Sequence, residues 1–298
     1  MERETLVTLL IMTCGGLLLQ LLAVWPVRPP AGIDPLVRER QAWRALCRPA
    51  VGLLACAAWF IGWALLEPDP VRDPLDPWVV VLVWLPFGVL FGRAVLRAVW
   101  SLVRELPDCG VSTFGLLQPR VAFSPYLARN LAEPVIAAAL AHEYAHARHR
   151  DPLRIWLAQL ITDLQWPWPQ AQRRLTLWLE ALEPARDAEA RRHGIAGADL
   201  AAAMLASVRF VRELTPRQRA GLGGTQQAHA KLVADPQSLR GRVAQLLAPL
   251  PPATAPTEAR VWGVRRTTVL IIAALLFVVL LGALGGQLVM RPLLALTT

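Results

Sequence analysis

Residues 142–146 read His142-Glu143-Tyr144-Ala145-His146, an H-E-x-x-H signature. On a helix, side chains four residues apart lie on one face, so both imidazoles can reach a single ion. Glu143 lies off the face that the two histidines share, so it can act on a water molecule beside the ion without occupying a position in the metal's coordination shell. This pattern is typical of a zinc peptidase, with His142 and His146 as ligands and Glu143 as the catalytic base.

The flanking sequence predicts that the signature lies on the last turns of a buried helix. Pro134 suits the first turn of a helix, and the run 135–141 is apolar and helix-forming. A basic stretch follows the signature, and we expect the helix to stop before Pro152. His149 is an alternative third ligand, but a solvated residue in a basic turn is the better interpretation.

A zinc site needs a third protein ligand and an open position for water, and the helical segment 173–192 offers acidic residues. Glu183 and Asp187 share a helix face, so one can bind the metal while the other orients a ligating histidine. We favour Glu183 over Glu180 as the third ligand. The alternative is that the acidic residues of this segment bind no metal and only form ion pairs on a charged helix face. Pro184 disfavours helical geometry at Glu183, which predicts a kink or a restart of the helix there.

Several motifs accompany the signature in a fixed order. They are 112–121 and Ser124-Pro125 before it, then His149-Arg150-Asp151-Pro152-Leu153, Trp168-Pro169, Glu183 with Asp187, and 238–247. In this order the set resembles the BlaR/MecR-type membrane metallopeptidases, the antirepressor peptidases of bacterial antibiotic sensing, across residues 75–290. The resemblance implies a gluzincin-like Zn²⁺ site with ligands His142, His146 and Glu183 and the base Glu143. It also implies a protein substrate such as a BlaI/MecI-type transcriptional repressor.

The composition favours a membrane protein, because 55% of the residues are hydrophobic and the mean hydropathy is +0.40. Four segments are long enough to span a bilayer: 5–25, 49–66, 78–96 and 269–289. A buried hairpin in a soluble core is the alternative for the second and third of them. Short β candidates occupy 111–117 and 120–124. We therefore predict a mostly α membrane protein with four transmembrane helices and an α+β zinc metallopeptidase domain that combines a small β-sheet with helices.

The distribution of arginines predicts the domain organisation and its orientation. The loop 26–48 carries five arginines, and arginines also flank the third and fourth spans, whereas 67–77 is acidic. The positive-inside rule then places the loop and the zinc domain in the cytoplasm. We expect three spans within 1–105, the peptidase domain at 106–265, the fourth span within 266–290 and an outer tail at 291–298. The predicted location is the bacterial inner membrane, with a multi-pass topology and a cytoplasmic active site.

The net charge of +9 does not predict nucleic-acid binding. The arginines are spread along membrane flanks, where anionic lipid is the expected partner, and no DNA-binding motif is present. The cysteines show no C-x-x-C spacing, so we expect neither a thiolate zinc site nor a structural disulfide.

Lys231 is the only lysine and Ala228 lies three residues before it. No Ser-x-x-Lys of a penicillin-binding sensor domain is therefore possible, and a membrane sensor partner is expected to supply the input.

Three hypotheses for the function follow from the sequence. The first is a regulatory membrane zinc endopeptidase in signal transduction that cleaves a cytoplasmic or membrane-proximal protein, or itself within 221–227. The second is a housekeeping membrane metallopeptidase of the HtpX or CAAX-protease type, which typically places the third Glu farther downstream. The third is a non-catalytic membrane scaffold with structural zinc, against which the intact Glu143 argues. The short distance from His146 to Glu183 favours the first hypothesis.

Overall fold

A computed structural model of the protein describes residues 10–31, 34–66, 77–103, 111–123, 125–213 and 236–250. This part of the chain is mostly helical and contains one two-stranded antiparallel sheet, as predicted. The helices are, in chain order, α1 (Ile11–Ala23), α2 (Pro35–Leu66), α3 (Pro77–Val103), α4 (Pro125–Asn130), α5 (Glu133–Arg148), α6 (Asp151–Leu164), α7 (Pro169–Arg192), α8 (Gly197–Glu213) and α9 (Pro236–Leu247).

The signature helix begins and ends where the sequence predicts. Helix α5 has Pro134 in its first turn and ends at Arg148. Arg150 has a φ of 52°, a left-handed conformation that turns the chain sharply before α6. Helix α6 then starts at Asp151 with Pro152 in its first turn, a position where the missing N–H costs nothing. The two helices thus meet at a sharp corner beside His146.

The sheet is a hairpin of β1 (Val111–Phe114) and β2 (Arg120–Phe123), in agreement with the two predicted strands. Its register pairs Val111 with Phe123 and Thr113 with Val121. Gly115 opens the connecting turn with a φ of +90°, and a Cβ there would lie 2.7 Å from the carbonyl oxygen of Gln118. Only glycine fits this turn without strain. The hairpin places Thr113 against the signature helix, where its hydroxyl contacts Glu143.

Helix α7 runs through Pro184 without interruption, so the helix does not restart there. The proline removes the N–H that would bond to the carbonyl of Glu180. Glu180 is exposed, and water can replace the lost bond there. The opposite face of the helix is buried both before and after the proline, with Leu182 and Ala185 in the core. Packing energy therefore outweighs the local preference of the residue before proline.

Helix α7 is the centre of the described fold. Trp178 is fully buried in a cluster with residues of α2 and α6. Farther along, Ala185 and Ala188 pack against Leu36 of α2, and Ala190 joins a cluster formed with α5, α8 and α9. Because one helix contacts so many others, its two ends and its polar residues have fixed positions relative to the signature helix.

One helix of the described residues is long and apolar enough to cross a membrane, namely Pro35–Gly62 within α2; α1 is apolar but shorter. Four transmembrane helices are therefore not confirmed. The first predicted span is described only from Leu10 onward, and the third lies within the uninterrupted helix α3. The fourth, 269–289, falls outside the described residues, as does the loop 221–227.

The arginine-rich stretch 26–48 is helical from Pro35 onward, since α2 begins there and continues into the second predicted span. Asp34 precedes the helix, and its carboxylate accepts a hydrogen bond from the N–H of Leu36. This contact caps the helix start in the usual way. Asp34 also accepts a bond from Arg192 at the far end of α7. The amino-terminal half of α2 is thus part of the domain that carries the signature.

Candidate metal centre

Three of the residues predicted as ligands meet in one place. His142, His146 and Glu183 each offer one donor atom, and these atoms lie within 4.8 Å of one another. The two Nε2 atoms are 3.1 Å apart. Glu183 approaches from α7, with Oε2 at 3.4 Å from His142 Nε2 and Oε1 at 3.5 Å from His146 Nε2. Two helices distant in sequence therefore build one compact cluster.

Each histidine is oriented by a carboxylate on its other ring nitrogen. His142 Nδ1 lies 2.9 Å from Asp187 Oδ1, and His146 Nδ1 lies 2.9 Å from Asp151 Oδ2. The contact of His146 with Asp151 is a hydrogen bond and that of His142 with Asp187 is an ion-pair contact, and in both rings the other nitrogen, Nε2, faces the cluster. Asp187 thus has the supporting position predicted for it. Two facing lone pairs at this separation repel each other unless a proton or a metal ion lies between them.

Asp151 is a site residue that the sequence analysis missed. It is buried, and its carboxylate accepts hydrogen bonds from Arg186 at 2.8 Å and Arg154 at 3.1 Å, besides the one from His146. Arg154 in turn donates to Glu39 of α2. Asp151 follows His146 by five residues across a helix break, so helical spacing cannot reveal the contact. Its only signal was the Arg-Asp-Pro that follows the signature.

Arg242 of α9 is a second residue that was not predicted at the site. Its guanidinium donates to both oxygens of Asp187, with Nε at 2.7 Å and Nη2 at 3.0 Å. Nη2 also lies 3.0 Å from Glu183 Oε2. Such a fork geometry fixes the plane of a carboxylate as well as its charge. The segment 238–247 was among the motifs of the resemblance, but nothing in its spacing connects it to the signature.

The predicted base is held by the β-hairpin. The hydroxyl of Thr113 lies 2.7 Å from Glu143 Oε2 and 2.9 Å from the backbone oxygen of the same residue. Both partners are acceptors, so the single hydroxyl proton can serve one of them at a time. Thr113 restricts the Glu143 side chain to the side of α5 that faces β1. The sequence predicted a strand near the signature helix but not this hydroxyl contact.

Two alternative ligands lie outside the cluster. His149 is half exposed, and its Nε2 lies 2.7 Å from Glu189 Oε2, where Arg148 also contacts the carboxylate. It occupies the basic turn, as the sequence analysis favoured. Glu180 is exposed on α7, whereas Glu183 is buried. The choice of Glu183 over Glu180 therefore agrees with the burial and with the geometry of the cluster.

The charges around the cluster favour a cation within it. Burial lowers the pKa of His142, but the hydrogen bonds and charges of Asp187 and Glu183 outweigh it and raise that pKa to about 10. Burial raises the pKa of Asp187, whereas Arg242 and His142 lower it to about 2, so its carboxylate is ionised. Asp151 also has a lowered pKa because the hydrogen bonds of His146 and Arg186 overcome its burial. A pocket that favours a proton on His142 also favours a metal ion.

The donor set fits a tetrahedral metal. Two imidazoles and one carboxylate are the ligands of many catalytic zinc sites, and bonds of about 2.0–2.1 Å place two tetrahedral ligands about 3.3 Å apart. The 3.1 Å between the two Nε2 atoms agrees with that value, and a different Glu183 oxygen lies near each imidazole, Oε2 at 3.4 Å from His142 and Oε1 at 3.5 Å from His146. A small adjustment of the Glu183 carboxylate would let one ion bind all three residues, and three protein ligands leave a tetrahedral position for water.

Comparisons with family models, with curated proteins and with solved structures find no match for this chain. The resemblance to the BlaR/MecR-type peptidases accordingly rests on the sequence motifs alone.

Proposed function

We propose that the protein is an integral-membrane zinc metalloendopeptidase of the gluzincin type. The observation that carries the proposal is the cluster of His142, His146 and Glu183, whose donor atoms lie within 4.8 Å of one another beside a glutamate held in place by a hydroxyl. A structural zinc site is typically closed by four protein ligands. Three ligands together with an adjacent base instead suit the activation of water.

The chain's own side chains can perform the steps of peptide hydrolysis. Zinc would be held by His142, His146 and Glu183; once bound, it lowers the pKa of a coordinated water and polarises the scissile carbonyl. Glu143 accepts the proton from the attacking water and delivers it to the leaving amine, since a carboxylate can act as base and then as acid. Thr113 keeps the Glu143 carboxylate facing β1. Asp187 and Asp151 keep both imidazoles directed at the metal.

The location of the site is the second part of the proposal. Helix α2 includes a stretch long and apolar enough to span a membrane, and its amino-terminal half packs against α7, which carries Glu183. We infer a multi-pass inner-membrane protein with spans at 5–25, 49–66, 78–96 and 269–289. The arginine distribution favours a cytoplasmic active site. Substrates would then be cytoplasmic or membrane-proximal proteins, such as a repressor or the chain itself within 221–227, with a membrane partner as sensor.

The change Glu143→Gln tests the proposal most simply. The amide cannot accept a proton, so we expect cleavage to fall about 10²–10⁴-fold, as the loss of a general base implies, while bound metal stays at the wild-type level. Mass spectrometry would quantify new amino termini of cytoplasmic and membrane proteins in cells that express either form of the full chain.

Glu180→Gln is the matched control, because Glu180 is exposed and outside the cluster. It should leave both cleavage and metal content unchanged. Equal sets of cleaved peptides in wild type and Glu143→Gln would contradict a zinc peptidase mechanism with this base.

A further inference from the structure

The turn between α6 and α7, residues 165–168, lies at the level of the predicted membrane spans. A cytoplasmic loop would be expected to lie outside that level. Helices α2 and α7 are antiparallel: Asp34 contacts Arg192 at one end, and farther along Glu39 contacts Trp178. Leu46 and Leu175 share a core cluster. Trp168 precedes Leu175 by seven residues, about 10 Å of helix, and on antiparallel helices an equal length beyond Leu46 leads to the neighbourhood of Leu53 of α2. That level is inside the second predicted span, 49–66.

The other two apolar helices place the turn at the same depth. Gln20 lies one turn before the end of α1, and its side chain donates a hydrogen bond to the carbonyl oxygen of Leu164 at 2.9 Å. On α3, Arg97 donates to Asp163 at 2.8 Å and Arg93 lies 3.6 Å from it. Both arginines are near the end of the third predicted span, 78–96. Contacts from two further helices, α1 and α3, thus place the start of the turn at or inside the level where the spans end.

The turn exposes the residue types that membrane interfaces favour. Its sequence is Gln165-Trp166-Pro167-Trp168, and the side chains of Trp166 and Trp168 are 51% and 37% exposed. Trp25, 63% exposed, is adjacent because the buried Arg174 donates both to its carbonyl oxygen and to the Gln165 side chain. Tryptophan prefers the boundary between headgroups and acyl chains, where the ring is apolar and the indole N–H is hydrated.

Positive charge accompanies these aromatic rings. The Arg93 guanidinium lies 5.4 Å from the centre of the Trp166 ring, within the range of a cation–π contact. Arg97 is the more exposed of the two arginines on Asp163, with 60% of its side chain accessible. Two arginines against one aspartate leave a net positive charge beside the exposed rings. Anionic phospholipid offers both a phosphate for this charge and an acyl boundary for the tryptophans.

We propose that the α6–α7 turn is inserted into the headgroup–acyl boundary of an anionic phospholipid leaflet, with Trp166 and Trp168 as its anchors. The proposal rests on the membrane-spanning part of the proposed function and not on the peptidase chemistry. The inserted turn would tie the start of α7 to the membrane. Glu183 lies fifteen residues beyond Trp168 on the same helix. The metal centre would then be held about 22 Å from the anchor along α7, a distance suited to membrane-proximal polypeptide.

The test uses the full chain in phosphatidylglycerol-containing nanodiscs, with Cys14, Cys47, Cys56 and Cys109 replaced by serine. A nitrobenzoxadiazole label at Trp168→Cys should show blue-shifted emission and be quenched by acyl-brominated lipid but hardly by iodide. A label at Glu180→Cys, exposed on the same helix but twelve residues farther from the turn, should show the opposite pattern. Trp166→Cys provides a second labelling position if Trp168→Cys does not fold.

A third label separates the two proposals. Leu54 is exposed on α2 within the second predicted span, and a label at Leu54→Cys should be quenched by brominated lipid. Quenching at Leu54→Cys combined with iodide access at Trp168→Cys would overturn the insertion of the turn and leave the span intact. Iodide access at both positions would overturn the membrane part of the proposed function as well. Protection of Trp168→Cys from both quenchers would mean that protein covers the turn, which also contradicts insertion.

Discussion

The two proposed histidine ligands are supported from different helices, His142 by Asp187 on α7 and His146 by Asp151 on α6. Each carboxylate is itself held by arginine, Asp187 by Arg242 and Asp151 by Arg186. The charged partners fix the orientation of both imidazole rings before any ion arrives. A site whose donors are already in position loses little conformational entropy when the metal binds.

The supporting role of Asp187 predicts the effect of its removal. Asp187→Asn removes the negative charge beside His142 Nδ1 and should lower metal affinity about 10–100-fold, as losses of such supporting carboxylates do. Glu180→Gln is the matched control, because Glu180 is exposed on the same helix and lies outside the cluster. Competition with a fluorescent chelator would measure both affinities. Equal affinities in wild type and Asp187→Asn, or an equal loss in both variants, would remove Asp187 from the site.

The sequence was sufficient to find the residues whose partners are close along a helix. His142 and His146 follow from the four-residue spacing, and the pair Glu183 and Asp187 from the same rule. Thr113 and Arg242 could not be found in this way, because a strand and a distant helix bring them to the site. Such contacts depend on the tertiary fold, which spacing alone does not specify.

At the scale of elements, α9 has a role that its short sequence does not suggest. It brings Arg242 to the metal centre, and other contacts dock it. Leu246 enters the core cluster with Leu200 of α8, and Arg191 donates to the carbonyl oxygens of Gln245 and Ala248 at its end. An arginine on the terminal carbonyls stabilises a helix end. The start of α8 packs so closely on α9 that only glycine fits at position 197.

That close approach gives a prediction for the docking of α9. A Cβ at Gly197 would lie 1.9 Å from the carbonyl oxygen of Leu246, a backbone atom that cannot rotate away. Gly197→Ala should therefore force α8 and α9 apart and cost about 1–3 kcal/mol of stability. Gly241→Ala is the control, because a Cβ there meets nothing within 4 Å and alanine favours a helix. Chemical denaturation compares the two; equal stability would mean that α9 is not docked as described.

The elements themselves were largely predictable, and the exceptions have physical causes. Proline placement and an apolar run predicted α5, and both strands lie within the predicted β segments 111–117 and 120–124. The continuity of α7 through Pro184 was not predictable, because the local cost is visible in the sequence and the compensating burial of Leu182 and Ala185 is not. The helical character of residues 35–48 was also missed, since the positive-inside rule reports which side a segment faces and not its conformation.

At the scale of the whole molecule, the apolar helix α2 and the metal centre are connected by a chain of contacts. Glu39 of α2 accepts hydrogen bonds from Trp178 and Arg154, and Arg154 also donates to Asp151, the partner of His146. The Arg154 guanidinium lies 4.5 Å from the centre of the Trp43 ring on α2. The part of α2 that precedes the predicted span therefore supports His146 through Arg154 and Asp151. The proposed membrane anchor and the candidate metal centre belong to one packed structure.

The metal content of the full chain, purified from membranes, tests the central claim most directly. Plasma mass spectrometry should find about one zinc ion per chain in the wild type and in Glu180→Gln, because three ligands from two helices form one tetrahedral site. Glu183→Gln should lose most of the metal, since a neutral amide is a poor replacement for the third ligand. A wild-type chain without stoichiometric metal, or full zinc content in Glu183→Gln, would contradict the assignment of this cluster as the zinc centre.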